Sequence, residues 1–365
     1  MSGLINFEKY YDAMEPEFKT ITVGSIIVAT GFDLMDPKPL KSYGYGKYPN
    51  VFTSLEFERL NNATGPTGGE IRMRNDSGAF DKKPQSVALI HCAGSRDVHF
   101  NDYCSRVCCM YALKYSHLIK EKLGHDTEVY DFSIDMRCYG KGYEEFYRRC
   151  QEEGTRFIRS RPAAIQNGRG PGGENGRLVV AGEDTLLNRP YRIPVDMVVL
   201  CSAIEPGSDA QTVAERFGIR RGKDGFFQET QGTLSPLCTG ADGIFIAGAC
   251  QSPKDISDSV SQASGAAGRA LELAMGKSVE IPYTIAWIDP EACDGCRTCL
   301  SVCEVGAVAF DNENDLAMVN PAVCKGCGQC VAVCPAGAAH IWQFRENRIL
   351  TESDESGLGL LAMGA

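Results

Sequence analysis

Twelve of the cysteines fall into three groups of four whose spacing suits metal binding. The first group lies in the stretch 86–111 and consists of Cys92, Cys104, Cys108 and Cys109. Cys104 and Cys108 are four residues apart, so a helical turn would place them on one face. Four soft ligands that converge on one point suit an iron–sulfur cluster or a zinc ion. A redox disulfide between Cys108 and Cys109 is the alternative, although the stretch lacks the Cys-x-x-Cys of a dithiol oxidoreductase.

The other two groups repeat one spacing near the carboxyl end of the chain. The first run comprises Cys293, Cys296, Cys299 and Cys303, and the second comprises Cys324, Cys327, Cys330 and Cys334. In two-cluster ferredoxins with this spacing, the fourth cysteine of each run ligates the other cluster. We therefore assign one cluster to Cys293, Cys296, Cys299 and Cys334, and the other to Cys303, Cys324, Cys327 and Cys330. Structural zinc is the alternative. A proline usually follows the fourth cysteine of such a run, as Pro335 follows Cys334, but Glu304 follows Cys303.

Composition excludes several classes of function. The chain has 365 residues, a net charge of −10 and 43% apolar residues, which indicates a soluble, acidic protein of two or three domains. It has no basic stripe for nucleic acid, no apolar run long enough to span a membrane, and no signal-peptide pattern at its start. Seventeen cysteines in an apparently cytosolic chain favour metal or redox chemistry over disulfides.

The elements around the first group predict a modified nucleotide-binding unit. A strand at 87–91 leads into Cys92, a helical pattern covers 110–123, and a second strand is predicted at 128–132. Such a strand–loop–helix–strand order begins a Rossmann-type unit, whose first loop should be glycine-rich and hold a pyrophosphate. Here the loop carries thiols. We interpret it as a nucleotide site converted into an electron-relay site.

Two other stretches indicate a second unit of related design. A strand at 26–28 ends in the small residues Ala29, Thr30 and Gly31, and the stretch 195–206 repeats this pattern. The prediction is an α/β fold with one nucleotide-type domain inserted in another. Gly168-x-Gly170-x-x-Gly173 matches a dinucleotide fingerprint, but we reject it because the second arm of a hairpin follows, not a helix.

A loop before a long predicted helix at 258–275 carries a single cation, Lys254. Its charge would suit a reduced flavin. A solvated surface lysine is the simpler interpretation, and Asp255 and Asp258 have the simpler role of helix caps.

Several long motifs resemble the A subunit of heterodisulfide reductase: VGSIIVATGFD, CAGSRD…YCSRVCCMYA, DMRCYGKGYEEFYRR, GIFIAGACQSPKDISDSVSQA and the ferredoxin-type tail. The resemblance covers about residues 20–345. It implies a thioredoxin-reductase-like fold that holds FAD, and an extra 4Fe–4S cluster on Cys92, Cys104, Cys108 and Cys109. It also implies flavin-based electron bifurcation, in which one electron goes to a high-potential acceptor and one to a low-potential ferredoxin.

The resemblance also predicts domain limits and flavin contacts. Residues 1–84 and 201–283 would form a partial FAD-binding domain, 85–200 the inserted NAD-like domain with its cluster, 284–345 the ferredoxin domain and 346–365 a tail. Lys254 would act on the flavin, which would lie against Ala29, Thr30, Gly31, Gly248, Lys254, Asp255, Ile256 and Gln262. Full-length members have an N-terminal half with the glycine-rich FAD loop. We therefore expect a split or truncated member whose FAD site is completed by a partner chain.

Three functions compete at this stage. The first is a bifurcating component of a heterodisulfide-reductase-type complex, with FAD, three 4Fe–4S clusters, subunits resembling the B and C chains, and soluble ferredoxin. The second is a flavin-free relay in another complex, such as a quinone-linked or aromatic-ring-reducing one. The third, a self-contained pyridine-nucleotide reductase, is disfavoured because neither nucleotide loop is intact. We expect a hetero-oligomer in the cytoplasm of an anaerobe.

Overall fold

A computed structural model of the protein describes residues 20–75, 77–168, 177–230, 235–275, 285–321 and 324–341. The chain divides into two compact units, residues 1–274 and 275–365. The first unit contains the thiols at 92–109 and the predicted flavin contacts. The second contains the two ferredoxin-type runs. The predicted tail, 346–365, lies outside the described residues.

The first unit alternates strands with helices. Its strands are β1 (Ile26–Val28), β2 (Phe32–Leu34), β3 (Val51–Thr53), β4 (Ser86–Ala93), β5 (Glu128–Ser133), β6 (Arg156–Arg159), β7 (Ala164–Asn167), β8 (Leu178–Asp184), β9 (Arg189–Val195), β10 (Met197–Ser202), β11 (Ile204–Pro206) and β12 (Ile244–Ile246). Its helices are α1 (Ser54–Asn61), α2 (Cys108–Leu123), α3 (Tyr143–Glu152), α4 (Ala210–Phe217) and α5 (Ile256–Met275).

A five-stranded parallel sheet in the order β3-β10-β4-β5-β6 carries the thiol site. All eight residues of β4 and all six of β10 are buried, because a parallel sheet is covered on both faces. One face packs in a core that includes Phe52, Phe57 and Leu89, together with Cys108 of α2. The predicted order of strand, thiol loop, helix and strand is therefore confirmed.

Strand β3 pairs with this sheet and helix α1 packs against it. Both lie within residues 1–84, which the sequence predicted as part of the FAD-binding domain. Val51 pairs with Val198 of β10, and Phe57 and Leu60 of α1 are fully buried in the same core. Burial of these apolar side chains draws residues 51–61 to the inserted domain. The domain limits as a whole stay a prediction.

Strands β7, β8 and β9 form an antiparallel sheet. The pairing of β7 with β8 confirms the hairpin that led us to reject the dinucleotide fingerprint. Most of the glycine-rich loop itself, residues 169–176, lies outside the described residues.

The remaining strands of the first unit bring the predicted flavin residues together. Strand β1 pairs in parallel with β12, and β2 pairs antiparallel with β11. The carboxyl ends of β1 and β12 therefore meet at one edge, where ligands bind in open α/β sheets. Helix α5 follows β12 in the chain, and Ala266 is its one buried residue among those that the structure describes.

The second unit is small and built from short elements. It contains β13 (Ala286–Ile288), α6 (Thr298–Ser301), β14 (Val308–Asp311), β15 (Leu316–Val319), α7 (Gln329–Ala332) and β16 (Ala339–Ile341). Strand β13 pairs antiparallel with β16, and β14 with β15. Its core includes Cys299 and Cys330, one cysteine from each run. Across the described residues of both units, none of the helices has the length and apolar character needed to cross a bilayer.

Candidate metal centre

The thiol loop of the first unit starts with a strained backbone. Cys92 has φ 54°, Arg96 has φ 53° and Arg106 has φ 60°, in the left-handed region that side chains other than glycine rarely adopt. Such strain costs of order 1–3 kcal/mol per residue and persists where the surroundings fix it, often at functional sites. Here Arg161 fixes the loop by donating hydrogen bonds to the carbonyls of Cys92 (3.2 Å) and Ser95 (2.7 Å).

Three of the four predicted thiols lie in mutual contact. Cys92 at the end of β4 and Cys108 and Cys109 at the start of α2 are all buried. Hydrogen bonding with Cys108 lowers the pKa of both Cys92 and Cys109. The same contacts raise the pKa of Cys108 well above its ordinary value, because Cys108 shares its proton with both neighbours. Two of the three sulfurs, those of Cys92 and Cys109, therefore ionise more readily than an ordinary thiol, and the thiolate is the form that binds metal.

Cys104 lies at the edge of this group and is half-buried. Its sulfur accepts the Arg106 backbone N–H at 3.3 Å. The side chain of Arg137 is near both Cys104 and Cys109: its pKa is raised mainly by a hydrogen bond to Asp135, with further contributions from these two thiols. Cys108 and Cys109 are free thiols, so the alternative of a vicinal disulfide finds no support in the structure.

A buried polar pair, to which the sequence analysis assigned no role, lies beside these thiols. His91 Nε2 is 2.9 Å from Asp131 Oδ2, and neither side chain is exposed. Burial alone lowers the pKa of His91, but the Asp131 carboxylate reverses this and raises it well above its usual value. The signal for this pair was in the sequence, since His91 and Asp131 are polar residues inside two apolar strands.

Buried polar atoms without partners concentrate around this site. Among the described residues, the atoms without a hydrogen-bond partner include His91 Nδ1, Asp131 Oδ1, Tyr111 Oη and Ser202 Oγ. Tyr111 is one turn beyond Cys108, and Ser202 pairs with Ala93 next to Cys92. Buried polar groups normally have partners, so this concentration fits a site completed by a bound group. In the same described part of the chain, no three His, Cys, Asp or Glu side chains surround a point where a single metal ion would fit.

The predicted flavin residues lie at the carboxyl ends of β1 and β12. Ala29, Thr30 and Gly31 follow β1, and Gly31 has φ 78°, while Gly248 after β12 has φ 80°. The Gly248 N–H donates to Gln262 Oε1 at 2.7 Å. The structure thus brings these residues to one edge of the sheet, whereas Ile256 is 83% exposed at the start of α5.

Lys254 is neither a solvated surface lysine nor a free cation. Its ammonium donates to Gln251 Oε1 at 2.6 Å, to the Gly248 carbonyl at 3.0 Å and to the carbonyl and hydroxyl of Ser252 at 3.2 Å. Burial lowers its pKa. Lys254 therefore holds its own loop in shape, and its role toward a flavin stays a prediction.

Arg106 joins the Lys254 loop to the thiol site through two hydrogen bonds, and Tyr143 of α3 adds a contact to the same loop; the sequence analysis missed all three. Arg106 donates to the Pro253 carbonyl at 3.2 Å and to Asp258 Oδ2 at 2.9 Å. Tyr143 donates to Asp255 Oδ2 at 3.0 Å, while Asp255 Oδ1 accepts the Asp258 N–H and caps α5. Asp258, also predicted as a possible cap, instead forms an ion pair with Arg106.

In the second unit the structure groups the cysteines as the ferredoxin pattern predicts. Burial raises the pKa of Cys299, and the nearby thiols that add to this effect are Cys296, Cys293 and Cys334. The other four thiols line one cavity: Cys303, Cys324, Cys327 and Cys330. The fourth cysteine of each run is thus beside the other run.

The two runs are related by a local repeat in their hydrogen bonds. Cys303 Sγ accepts the Ala307 N–H at 3.2 Å, and Cys334 Sγ accepts the Ala338 N–H at the same distance. Cys324 Sγ accepts the Ala286 N–H at 3.2 Å. Backbone donors stabilise thiolates, so the loops fit negatively charged clusters.

A family model of the 4Fe-4S dicluster domain matches residues 285–335. A parallel α/β unit with a thiol-lined loop, followed by a dicluster domain, defines the class of iron–sulfur electron-transfer proteins.

Among solved structures, the chain is similar to the thioredoxin reductase of T. acidophilum, at 14% identity and a TM-score of 0.42, covering 69% of this chain and 66% of that one. The strand topology described above, together with the dicluster match, bears out the predicted fold class.

The curated relatives identify the family. The chain is 46% identical over 296 residues to an iron-sulfur A subunit of the CoB–CoM heterodisulfide reductase of Methanopyrus kandleri, covering 80% of this chain and 44% of the relative. It is 46% identical over 300 residues to the A subunit of the H(2):CoB-CoM heterodisulfide,ferredoxin reductase of Methanothermobacter marburgensis, covering 81% and 44%. Over this shared part, the chain belongs to the family of heterodisulfide reductase A subunits. It spans less than half the length of these relatives.

Proposed function

We propose that this chain is an electron-transfer component that passes electrons between a flavin and three 4Fe–4S clusters in a heterodisulfide-reductase-type complex. The clusters would be held by the thiol site of the first unit and the two sites of the second. A flavin accepts two electrons together and passes them on singly, and 4Fe–4S clusters carry one electron each. The donor set of soft thiols, with unpartnered buried polar atoms around it, fits such a cluster.

The observation that carries this proposal is the direct link between the thiol site and the Lys254 loop. Arg106 lies between Cys104 and Cys108 in sequence, and its guanidinium bonds to Pro253 and Asp258. A group held at the ends of β1 and β12 would therefore adjoin the thiol site through one side chain. Arg106 would fix the distance between the two sites, and Lys254 would keep the intervening loop closed.

We further propose bifurcation and a partner for the flavin site. The relative from Methanothermobacter marburgensis is named for two acceptors, a heterodisulfide and ferredoxin. A disulfide-type acceptor and a ferredoxin suit one high-potential and one low-potential branch. In the described part of the chain, β1 and β12 form a pair of three residues each, and we propose that a partner chain carrying the glycine-rich FAD loop extends this flavin site. We also propose that the chain works in a cytoplasmic hetero-oligomer with subunits resembling the B and C chains.

The test is the composition and turnover of the complex purified without oxygen. The proposal expects about one flavin and about twelve irons per copy of this chain. It also expects ferredoxin to be reduced only while the high-potential acceptor is present. About twelve irons with no flavin in any partner would favour the flavin-free relay. Ferredoxin reduction that does not depend on the second acceptor would rule out bifurcation.

A further inference from the structure

A buried polar pair in the central sheet faces the thiols of the first unit. His91 of β4 and Asp131 of β5 have no exposed side-chain surface, and 2.9 Å separates His91 Nε2 from Asp131 Oδ2. Placing such groups away from water is unfavourable unless their other atoms also have partners. In the described part of the chain, His91 Nδ1 has no hydrogen-bond partner of good geometry.

His91 directly precedes Cys92 in β4, and Cys109 is the second residue of α2, which packs on the same sheet. The thiol of Cys109 lies beside the His91 ring, and the two groups affect each other's pKa. A cysteine bound to iron is a thiolate and carries no hydrogen. The ring nitrogen that faces it must therefore supply the hydrogen. The His91–Asp131 pair then holds two hydrogens: one lies between Nε2 and the Asp131 carboxyl group, and the other is on Nδ1. Asp131 thereby orients the ring, as the carboxylate partners of metal-site histidines do.

We infer that His91 donates a hydrogen bond from Nδ1 to the Cys109 sulfur of the loaded site, that Asp131 orients the ring, and that this pair raises the reduction potential of the first-unit cluster. The inference rests on the proposed function, since it requires a cluster at these thiols. Reduction adds negative charge to a cluster and its sulfurs, so a hydrogen-bond donor stabilises the reduced state more than the oxidised state.

The experiment combines potentiometric EPR titration of the anaerobic full chain with nitrogen hyperfine spectroscopy of histidine-labelled protein. His91→Leu is expected to shift the reduction equilibrium of the first-unit cluster about tenfold toward the oxidised form, which is about 59 mV for a one-electron couple. His91→Asn, which keeps an N–H donor near the position of Nδ1, is expected to recover part of the shift. Asp131→Asn is expected to shift it in the same direction by less.

The matched control is His117 of α2. It is a second histidine with a carboxylate partner in the same unit, since its Nδ1 is 2.8 Å from Glu153 Oε2. His117→Leu should leave the potential unchanged. In the unsubstituted protein, a 15N coupling on the reduced first-unit cluster should disappear with His91→Leu and persist with His117→Leu.

Each outcome is decisive. The inference is overturned if His91→Leu has a full iron content and an unchanged potential. It is also overturned if the unsubstituted protein has a full iron content but shows no histidine coupling. Either result leaves the proposed function standing. An unsubstituted protein with only about eight irons and no first-unit signal overturns the proposed function itself. If His91→Leu fails to assemble, the coupling in the unsubstituted protein and the potential of His91→Asn decide the matter.

Discussion

The two thiol-rich parts of this molecule surround their sulfurs with different kinds of neighbour. In the second unit, Cys303, Cys324 and Cys334 accept hydrogen bonds from backbone N–H groups on short local loops. In the first unit only Cys104, among the described thiols of its site, accepts a backbone N–H from its own loop, whereas Cys92, Cys108 and Cys109 come from the end of β4 and the start of α2, where the side chain of His91 lies beside Cys109. One region is thus specified by a short sequence repeat, and the other by the packing of a whole sheet.

This difference decides how each region responds to mutation. Backbone donors stay in place whatever side chain is present, so substitutions near the second-unit cysteines change mainly backbone strain. The first-unit thiols depend on side chains such as His91 and Arg106, and single substitutions there should change redox behaviour.

The largest effect is expected from removing one thiol in each region. Cys108→Ser and Cys330→Ser should each lower the iron content from about twelve to about eight per chain, because each removes one ligand of one cluster. Iron analysis and EPR of the anaerobic proteins would measure this, and the spectra should lose different components. Cys238→Ser, outside the three groups, is the control and should keep all the iron. A Cys108→Ser protein with undiminished iron would show that the first-unit thiols hold no cluster.

A smaller effect is expected from breaking the link between the Lys254 loop and the thiol site. Arg106→Ala removes the bonds to Pro253 and Asp258 while leaving every cysteine in place. Electron exchange between the flavin and the clusters should slow on the order of tenfold, because small displacements of reacting groups have large effects on rate. Stopped-flow absorbance would measure the rate. Arg269→Ala, which breaks an exposed ion pair on the same helix as Asp258, should not change it, and equal rates in both variants would contradict the account.

Much of this architecture could be predicted from sequence because it depends on local patterns. The ferredoxin runs follow from cysteine spacing, and β4, α2 and β5 follow from apolar periodicity. The join between β3 and β10 could not, because Val51 and Val198 are neighbours only in the folded sheet. The same holds for the bond between Arg106 and Asp258, and for the pairing of His91 with Asp131, which depends on the register of β4 against β5.

A still smaller effect is expected at a backbone position of the second unit. Gly328 has φ 77°, and an added Cβ would lie 3.3 Å from Ile341 Cδ1. Gly328→Ala should lower the free energy of unfolding by about 1–2 kcal/mol, the cost of a left-handed conformation for a residue with a side chain. The midpoint of urea-induced loss of cluster absorbance would measure this. A midpoint equal to that of the unsubstituted protein would contradict the strain argument.

The smallest effect is expected at the equivalent position of the first run. Arg297 has φ 61°, and its guanidinium lies 3.9 Å from the centre of the Phe310 ring. Arg297→Gly removes the backbone strain but also a cation–π contact of about 0.5–1 kcal/mol, so the net change should stay within about 1 kcal/mol. The same urea experiment applies. A loss of stability larger than that of Gly328→Ala would show that the side chain of Arg297 matters more than its backbone.

The most direct test of the central claim is the iron and sulfide content of the anaerobically purified full chain, with its Mössbauer spectrum. The account predicts about twelve irons, all in 4Fe–4S clusters, with one-third of the signal lost in Cys108→Ser. About eight irons in the unsubstituted chain, and an unchanged spectrum in that variant, would contradict it.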